Sequence, residues 1–262
     1  MRKEIPLEIF LTSERKNLFL GFTNKQIDNV EEWFQQNGLG SDIDSSEVMS
    51  ERMAVDLFNL DLGQSRSPQE LTDRYLMVHW IEELNLGDDP LKKAIGYWND
   101  INNIPYMKPN PGAYRLYTYL HLVGIDIPRL TARPAWTRDS TLEYYRRNSP
   151  WVVEKDLLYI SDNNIIDPEA KVKSAVELGL GAFIEDALEE AYLLADKGIL
   201  TGLVPQSWNN RKYTDHTNVL TVNQRLRDGF KVLDPNNNQF VKMPNILQVY
   251  HVMADEILFR YF

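Results

Sequence analysis

The chain has 262 residues, 43% hydrophobic and 25% charged, enough apolar material to bury a core as one domain plus a smaller insert and to exclude disorder as the default. A formal charge of −10 argues against a partner bound by broad phosphate-backbone neutralisation, so duplex nucleic acid is not expected. A small phosphate ester stays compatible, because local cations, backbone N–H groups and a metal outweigh a diffuse field that is screened within about 10 Å.

There are no cysteines, which removes disulfides, thiolate catalysis and Cys-built metal sites. His79, His121, His216 and His251 are far apart in the sequence, so a metal here would be a hard, oxygen-bound one. The opening MRKEIPLEIFLTSERK is broken by charges and lacks a signal-peptide core, and no window approaches the roughly 20 apolar residues that span a bilayer. The expectation is a soluble, cytoplasmic protein with no membrane partner.

In chain order, IPLEIFLT and NLFLGFT, separated by the polar SERKN within residues 5–23, predict a pair of strands or a hairpin. A helix follows, with Asn24 as N-cap, Ile27, Val30 and Phe34 at helical spacing, and a stop at Asn37-Gly38. GLGSDIDSSEV is short, Gly-punctuated and carries two Asp. From Ala54 to about Asn103 the pattern is helical, opened by Ser67-Pro68, with Leu71, Tyr75, Val78, Ile81 and Leu84 on one stripe. It closes at MKPNPGA, residues 107–113, where Pro and Gly break helical periodicity.

Beyond that joint the elements alternate: helix 112–123, an apolar run ending in LTARP, helix 137–147, strand LLYIS, helix 168–178, strand GAFIED, helix 187–197 and strand ILTGLV. Such alternation predicts an α/β fold, a Rossmann-like parallel sheet covered by helices on both faces. The division is 1–45 and 104–211 as the α/β core, 46–103 as a small helical insert after the first strand, and 212–262 as an extension packed on the core. In that extension VLTVNQRL, GFKVLDPNNNQFVKM and NILQVYHVMADEILFRYF have no assigned place in the sheet.

Ligands of open parallel sheets sit beyond the carboxyl ends of the strands. Four places there carry chemistry: Asp42-Ile43-Asp44-Ser45-Ser46, Leu130-Thr131-Ala132-Arg133-Pro134, Lys171 with Lys173, and Ile184-Glu185-Asp186. Each has a bland reading. A DxD arises by chance in an acidic chain, LTARP is a passable strand end, the lysines suit a solvated helix face, and Glu185, Asp186, Glu189 and Glu190 suit the first turn of a helix. Their conjunction in order is what points to function.

That order resembles the haloacid-dehalogenase-like superfamily, built on a DxD loop, a strand ending in Thr or Ser, a Lys and an acidic pair. MKPNPGAYRLYTYL, LTARP, AKVKSAVELGLGAFIEDALEEAYLLADKGI and LVPQSWNNR further resemble its 5'(3')-deoxyribonucleotidase-like branch, with Ser207-Trp208-Asn209 in place of the late PWN turn. The resemblance spans roughly residues 38–211. It implies a Mg²⁺-dependent phosphomonoesterase, a 5'-nucleotidase acting on nucleoside monophosphates, with the helical insert as a cap.

In that scheme Asp42 would attack phosphorus to give an aspartyl-phosphate, and Asp44 would protonate the leaving oxygen and later activate water. Thr131 would hydrogen-bond a phosphoryl oxygen, Lys171 would offset charge, and Asp186 would hold Mg²⁺ with Asp42 and the Asp44 carbonyl. Ala132 and Arg133, with Phe58 and Tyr97 from the cap, would contact substrate. Two departures stand out: QNGLGS precedes the first Asp where the family has a buried run, and Ser45-Ser46 replaces Gly followed by Thr or Val. If NLFLGFT were the first strand, the nucleophile would be missing and the protein would be a non-catalytic binding or regulatory relative; a phosphatase of another small ester is the further alternative. Lys173 competes with Lys171.

Overall fold

A computed structural model of the protein describes residues 7–73, 75–87, 89–161, 167–209, 216–222 and 245–262. Its centre is a six-stranded, all-parallel sheet of β1 (Leu39–Asp42), β2 (Arg129–Pro134), β3 (Leu157–Ser161), β4 (Ala182–Glu185), β5 (Leu200–Leu203) and β6 (Val219–Leu220), in the spatial order β3-β2-β1-β4-β5-β6. The chain winds outward from β1 to β3, then returns to the other side of β1 for β4. The strand order therefore reverses between β1 and β4, which opens a crevice at their carboxyl ends.

Both faces of the sheet are covered, as the alternation of elements predicts. On one side α1 (Leu7–Leu18), α2 (Asn24–Asn37), α6 (Ala113–Leu122) and α10 (Asn245–Tyr261) share a core with Leu39, Ala182, Ile184 and Leu200. Tyr250 anchors it, stacked on Phe34 at 5.4 Å and edge-on to Phe19 at 5.6 Å. On the other side α8 (Pro168–Glu177) and α9 (Leu188–Asp196) pack Val172, Ala175 and Leu194 against Leu130 and Phe183. In β4 the residues alternate between the two layers, as the period of a strand requires.

Between β1 and β2 lie α3 (Ser50–Leu62), α4 (Leu76–Glu83) and α5 (Pro90–Trp98). They gather around their own cluster of Ala54, Val55, Phe58, Leu71, Met77, Trp80, Ile81 and Ala94. The α4 face that is buried carries Met77, Trp80 and Ile81, whereas Tyr75 of the expected stripe is exposed. Ser67-Pro68 opens a short 3-10 turn, Pro68–Glu70, rather than α4. After β2 comes α7 (Arg138–Asn148).

The structure overturns the expected N-terminal strands. Residues 7–18 form α1, because Phe10, Leu11, Glu14 and Leu18 fall on one helical stripe. The polar SERKN, read as a turn, is in part that helix's outer face, with Arg15 bonded to Asp28 and Glu31; NLFLGFT is its end and the link to α2. The N-cap of α2 is Thr23 rather than Asn24, since the Thr23 hydroxyl accepts from the Gln26 amide while the Gln26 side chain accepts from the Thr23 amide. The first strand is LGSD because β1 is central and crowded. A Cβ on Gly40 would approach Leu180 and Phe183 to 2.6 Å, so a bulky apolar run does not fit there. From the C-terminal segment β6 extends the sheet edge and α10 packs on the core, while GFKVLDPNNNQFVKM lies outside the described residues.

His251 of α10 is buried with its Nδ1–H donating to the Leu18 carbonyl at 3.1 Å, and burial lowers its pKa from the usual 6.5 to about 4. The unfolded chain therefore binds the proton first as pH falls. The stability contributed by the neutral ring is complete above pH 6.5, declines below it and is gone once pH has passed below about 4. Chemical denaturation across this window should show wild type losing up to about 3 kcal/mol more than His251→Leu; parallel curves would refute the assignment.

Candidate active site at the strand ends

The β1 register places Asp42 beside Leu130 of β2, and Ser41 beside Ile184 of β4. The carboxyl end of β1 thus meets the end of β4, where Glu185 and Asp186 stand. From α8, which crosses back over the sheet, Lys171 reaches into the same point. Its Nζ donates to Asp42 Oδ1 at 2.9 Å and to Glu185 Oε2 at 2.7 Å, and all three side chains are nearly sealed from solvent. Lys173, two residues on, is exposed and faces Glu177, so of the two lysines it is Lys171 that meets Asp42.

Oxygens of Asp42, Glu185 and Asp186 all lie within 4.8 Å of one another. Burial pushes the Asp42 carboxyl up to about 8, with Lys171 opposing and Glu185 and Asp44 adding to the rise. For Lys171 burial acts downward, yet Asp42, Glu185 and Glu190 hold the ammonium well above its ordinary value. Three carboxyl groups and one ammonium are thus gathered in a dry place. Such an all-oxygen set could hold a divalent cation.

Glu185 is the residue missing from the expected site. Its Oε2 takes Lys171, and its Oε1 accepts from the Asp186 and Ala187 amides at 3.0 and 3.1 Å. With both oxygens engaged it orients Lys171 and caps the following turn, which leaves Asp42 and Asp186 as the better-disposed ligands. The sequence signal was the Glu-Asp pair directly after the apolar GAFI. Ser46 adds a contact across the crevice, its hydroxyl donating to Asp186 Oδ1 at 3.3 Å.

Asp44 is bound elsewhere. Arg133 Nε and Nη2 grip both of its oxygens at 2.6 to 3.1 Å, and Arg133 Nη1 donates to Thr141 at 3.1 Å. Thr131 is buried just past the level of Asp42, its hydroxyl accepting from the Arg133 amide at 3.1 Å; Ala132 between them is partly exposed. Phe58 is buried within the helical segment against Trp80 and Tyr97, and the Tyr97 hydroxyl donates to Asp61 at 2.5 Å. Asp42, Lys171 and Asp186 are thus brought together, Asp44, Thr131 and Arg133 flank them, and Phe58 and Tyr97 sit in the core of the helical segment.

No family model matches this chain, and no curated protein is significantly similar to it. Among the described residues no helix is long and apolar enough to cross a membrane. What the site can do therefore rests on its own geometry.

The loop after Asp44 turns on Ser45, at φ 58°, a left-handed conformation that Gly adopts without strain and other residues adopt at a cost of about 1–2 kcal/mol. Its polar atoms are all engaged. The Ser45 amide donates to Ser50 Oγ at 3.1 Å, its hydroxyl donates to Glu51 at 2.9 Å, and its carbonyl accepts from Asn110 at 2.7 Å and from Gln206. Burial raises the Glu51 carboxyl, with its own amide and the Ser45 hydroxyl opposing. Ser45→Gly should leave stability within about 1 kcal/mol, since relief of strain balances the lost hydroxyl, whereas Ser45→Val should lose about 2 kcal/mol or more. Denaturant melts of both variants would decide, and a well-tolerated Val would show that the turn is not constrained.

Proposed function

We propose that the chain is a phosphomonoester hydrolase dependent on Mg²⁺, with Asp42 as nucleophile and small phosphorylated metabolites, nucleoside monophosphates first among them, as substrates. The observation that carries this reading is the buried Asp42–Lys171–Glu185–Asp186 cluster at the point where the strand order reverses. Asp42 and Asp186, with the Asp44 carbonyl, would hold the ion. When bound it would supply positive charge to neutralise phosphoryl oxygens.

The chain's own residues suit an in-line displacement. A carboxylate oxygen of Asp42 forms a bond to phosphorus as the ester P–O bond breaks, giving an aspartyl-phosphate and the freed alcohol. Lys171 steadies the carboxylate for attack and offsets the charge on phosphate. Water then attacks phosphorus, releasing inorganic phosphate and regenerating Asp42, and Asp44, once turned from Arg133, would accept the water proton. Thr131 and Ala132 border the space for the phosphoryl group. The helical segment would act as a cap over this pocket, its joint at residues 107–113 serving as the hinge.

A second reading has one observation in its favour. Arg133 holds both Asp44 oxygens, and a doubly gripped carboxylate has no proton to give a leaving group. A scaffold that binds a phosphorylated ligand without turning it over fits that pair. Leaving-group protonation in the hydrolase reading requires Asp44 to turn away from Arg133 when substrate arrives.

A screen of nucleoside monophosphates, sugar phosphates and p-nitrophenyl phosphate with and without Mg²⁺ separates the two. Hydrolysis that needs Mg²⁺, and that falls by about 10³-fold or more in a folded Asp42→Asn variant, is the expected result; binding without phosphate release would establish the second reading. Asp186→Asn should raise the Mg²⁺ concentration needed for half-maximal rate by about tenfold or more, while Glu189→Gln, an exposed change on the following helix, should not. An unaltered Mg²⁺ titration for Asp186→Asn would remove it from the ion's shell.

A further inference from the structure

The turn that follows β5, residues 206–209, touches three parts of the molecule at once. Gln206 Nε2 donates to the carbonyl of Ser45, in the loop beyond Asp44. Asn209 is buried, and its Nδ2 donates to the carbonyls of Asp186 and Val204 while its Oδ1 accepts from the Gln206 amide at 2.8 Å. Ser207 Oγ donates to the carbonyl of Leu71, and the Trp208 ring packs against the core of the helical segment formed by Ala54, Phe58, Trp80 and their neighbours. Trp208 is the member of that cluster drawn from outside residues 54–98.

We propose that Gln206 and Asn209 are positioning residues for the Asp42–Asp186 site, and that Trp208 makes their placement depend on the helical segment being docked. The physical path is short. Four residues closed on themselves by the Gln206–Asn209 hydrogen bonds move as a unit, so a force on the Trp208 ring is passed to the backbone of Asp186 on one side and of Ser45 on the other. Ser46, next to Ser45, contacts Asp186 directly, so the two displacements meet at one carboxylate. With the segment docked, the Asp186 carbonyl and the Ser45 carbonyl are both held. Undocking withdraws the ring and loosens both. The proposal rests on the reading of the cluster as a cation site, and a second, cation-independent measurement keeps the two separable.

Two measurements on the full chain test it. Calorimetric titration with Mg²⁺ should show Asn209→Ala weakening binding about tenfold, and Trp208→Ala, whose ring packs on the core of the helical segment, weakening it about three- to tenfold; Trp208→Phe should restore it to within about twofold. Hydrogen exchange should show the amides of Glu47, Val48, Asp186 and Ala187, all hydrogen-bonded in the fold, opening faster in Trp208→Ala than in wild type. If Trp208→Ala does not fold, Ser207→Ala, which removes only the bond to Leu71, takes its place with the same expected direction. Unchanged exchange at these four amides overturns the proposal whatever the Mg²⁺ result. Wild type that takes up no Mg²⁺, with exchange still accelerated in the variants, sinks the cation reading and leaves the positioning role standing.

Discussion

The Lys171 ammonium, shared between Asp42 and Glu185, is the contact on which the arrangement of the strand ends depends. Two carboxylates at the ends of adjacent parallel strands repel one another across a dry gap, and neither has access to bulk water. Placing one ammonium between them joins β1, β4 and α8 at a single point. Removing such a partner from a buried group typically costs about 3–5 kcal/mol, because the remaining charge is left uncompensated. Asp186 completes the group, since oxygens of all three carboxyls lie within 4.8 Å of one another.

The helical segment is attached so that it keeps its own core without losing register with the site. Its outgoing and returning chains are stitched to each other at the base: the Met49 amide donates to the Lys108 carbonyl, the Asn110 amide to the Glu47 carbonyl, and Val48 pairs with Pro109. Asn110 also holds the carbonyls of Ser45 and Ser46. The base of the segment is therefore the same short ribbon that shapes the loop beyond Asp44. Glu47 in that ribbon is buried and tied to Arg129 at 2.8 Å, whose guanidinium lies over the rings of Tyr117 and Tyr145. A buried ion pair of this kind adds little net stability, but a single allowed geometry fixes where the ribbon sits.

Ser45 shows how a strained turn is retained. The residue after Asp44 takes a conformation suited to Gly, yet the side chain it carries is used: its hydroxyl satisfies a buried Glu51 and its neighbours satisfy its backbone. Strain of this size persists where several hydrogen bonds over-determine the conformation.

The alternation of apolar runs with helical periods from residue 112 to 203 was sufficient to fix a parallel α/β sheet, because each buried strand and each amphipathic helix writes its own period into the local sequence. Thr131 to Arg133 and Glu185-Asp186 were legible for the same reason, as polar residues at the end of an apolar run, whereas Asp42 and Lys171 follow no such run and were legible only from the order of the motifs. Local pattern failed where long-range contacts decide. LGSD serves as the central strand where Leu180 and Phe183 leave no room for a side chain at Gly40, and residues 7–18 became a helix because the polar arc of that segment pairs with α2 and α6 rather than turning. The partners of the acidic groups were also beyond local reading: that Lys171 and not Lys173 faces Asp42, that Glu185 holds it, that Arg133 claims Asp44, and that Asn209 meets Asp186. Residue types at strand ends set what chemistry is possible, whereas the packing of α8 and of the turn after β5 decided which of those groups meet, since distances between side chains far apart in sequence are set by the tertiary fold.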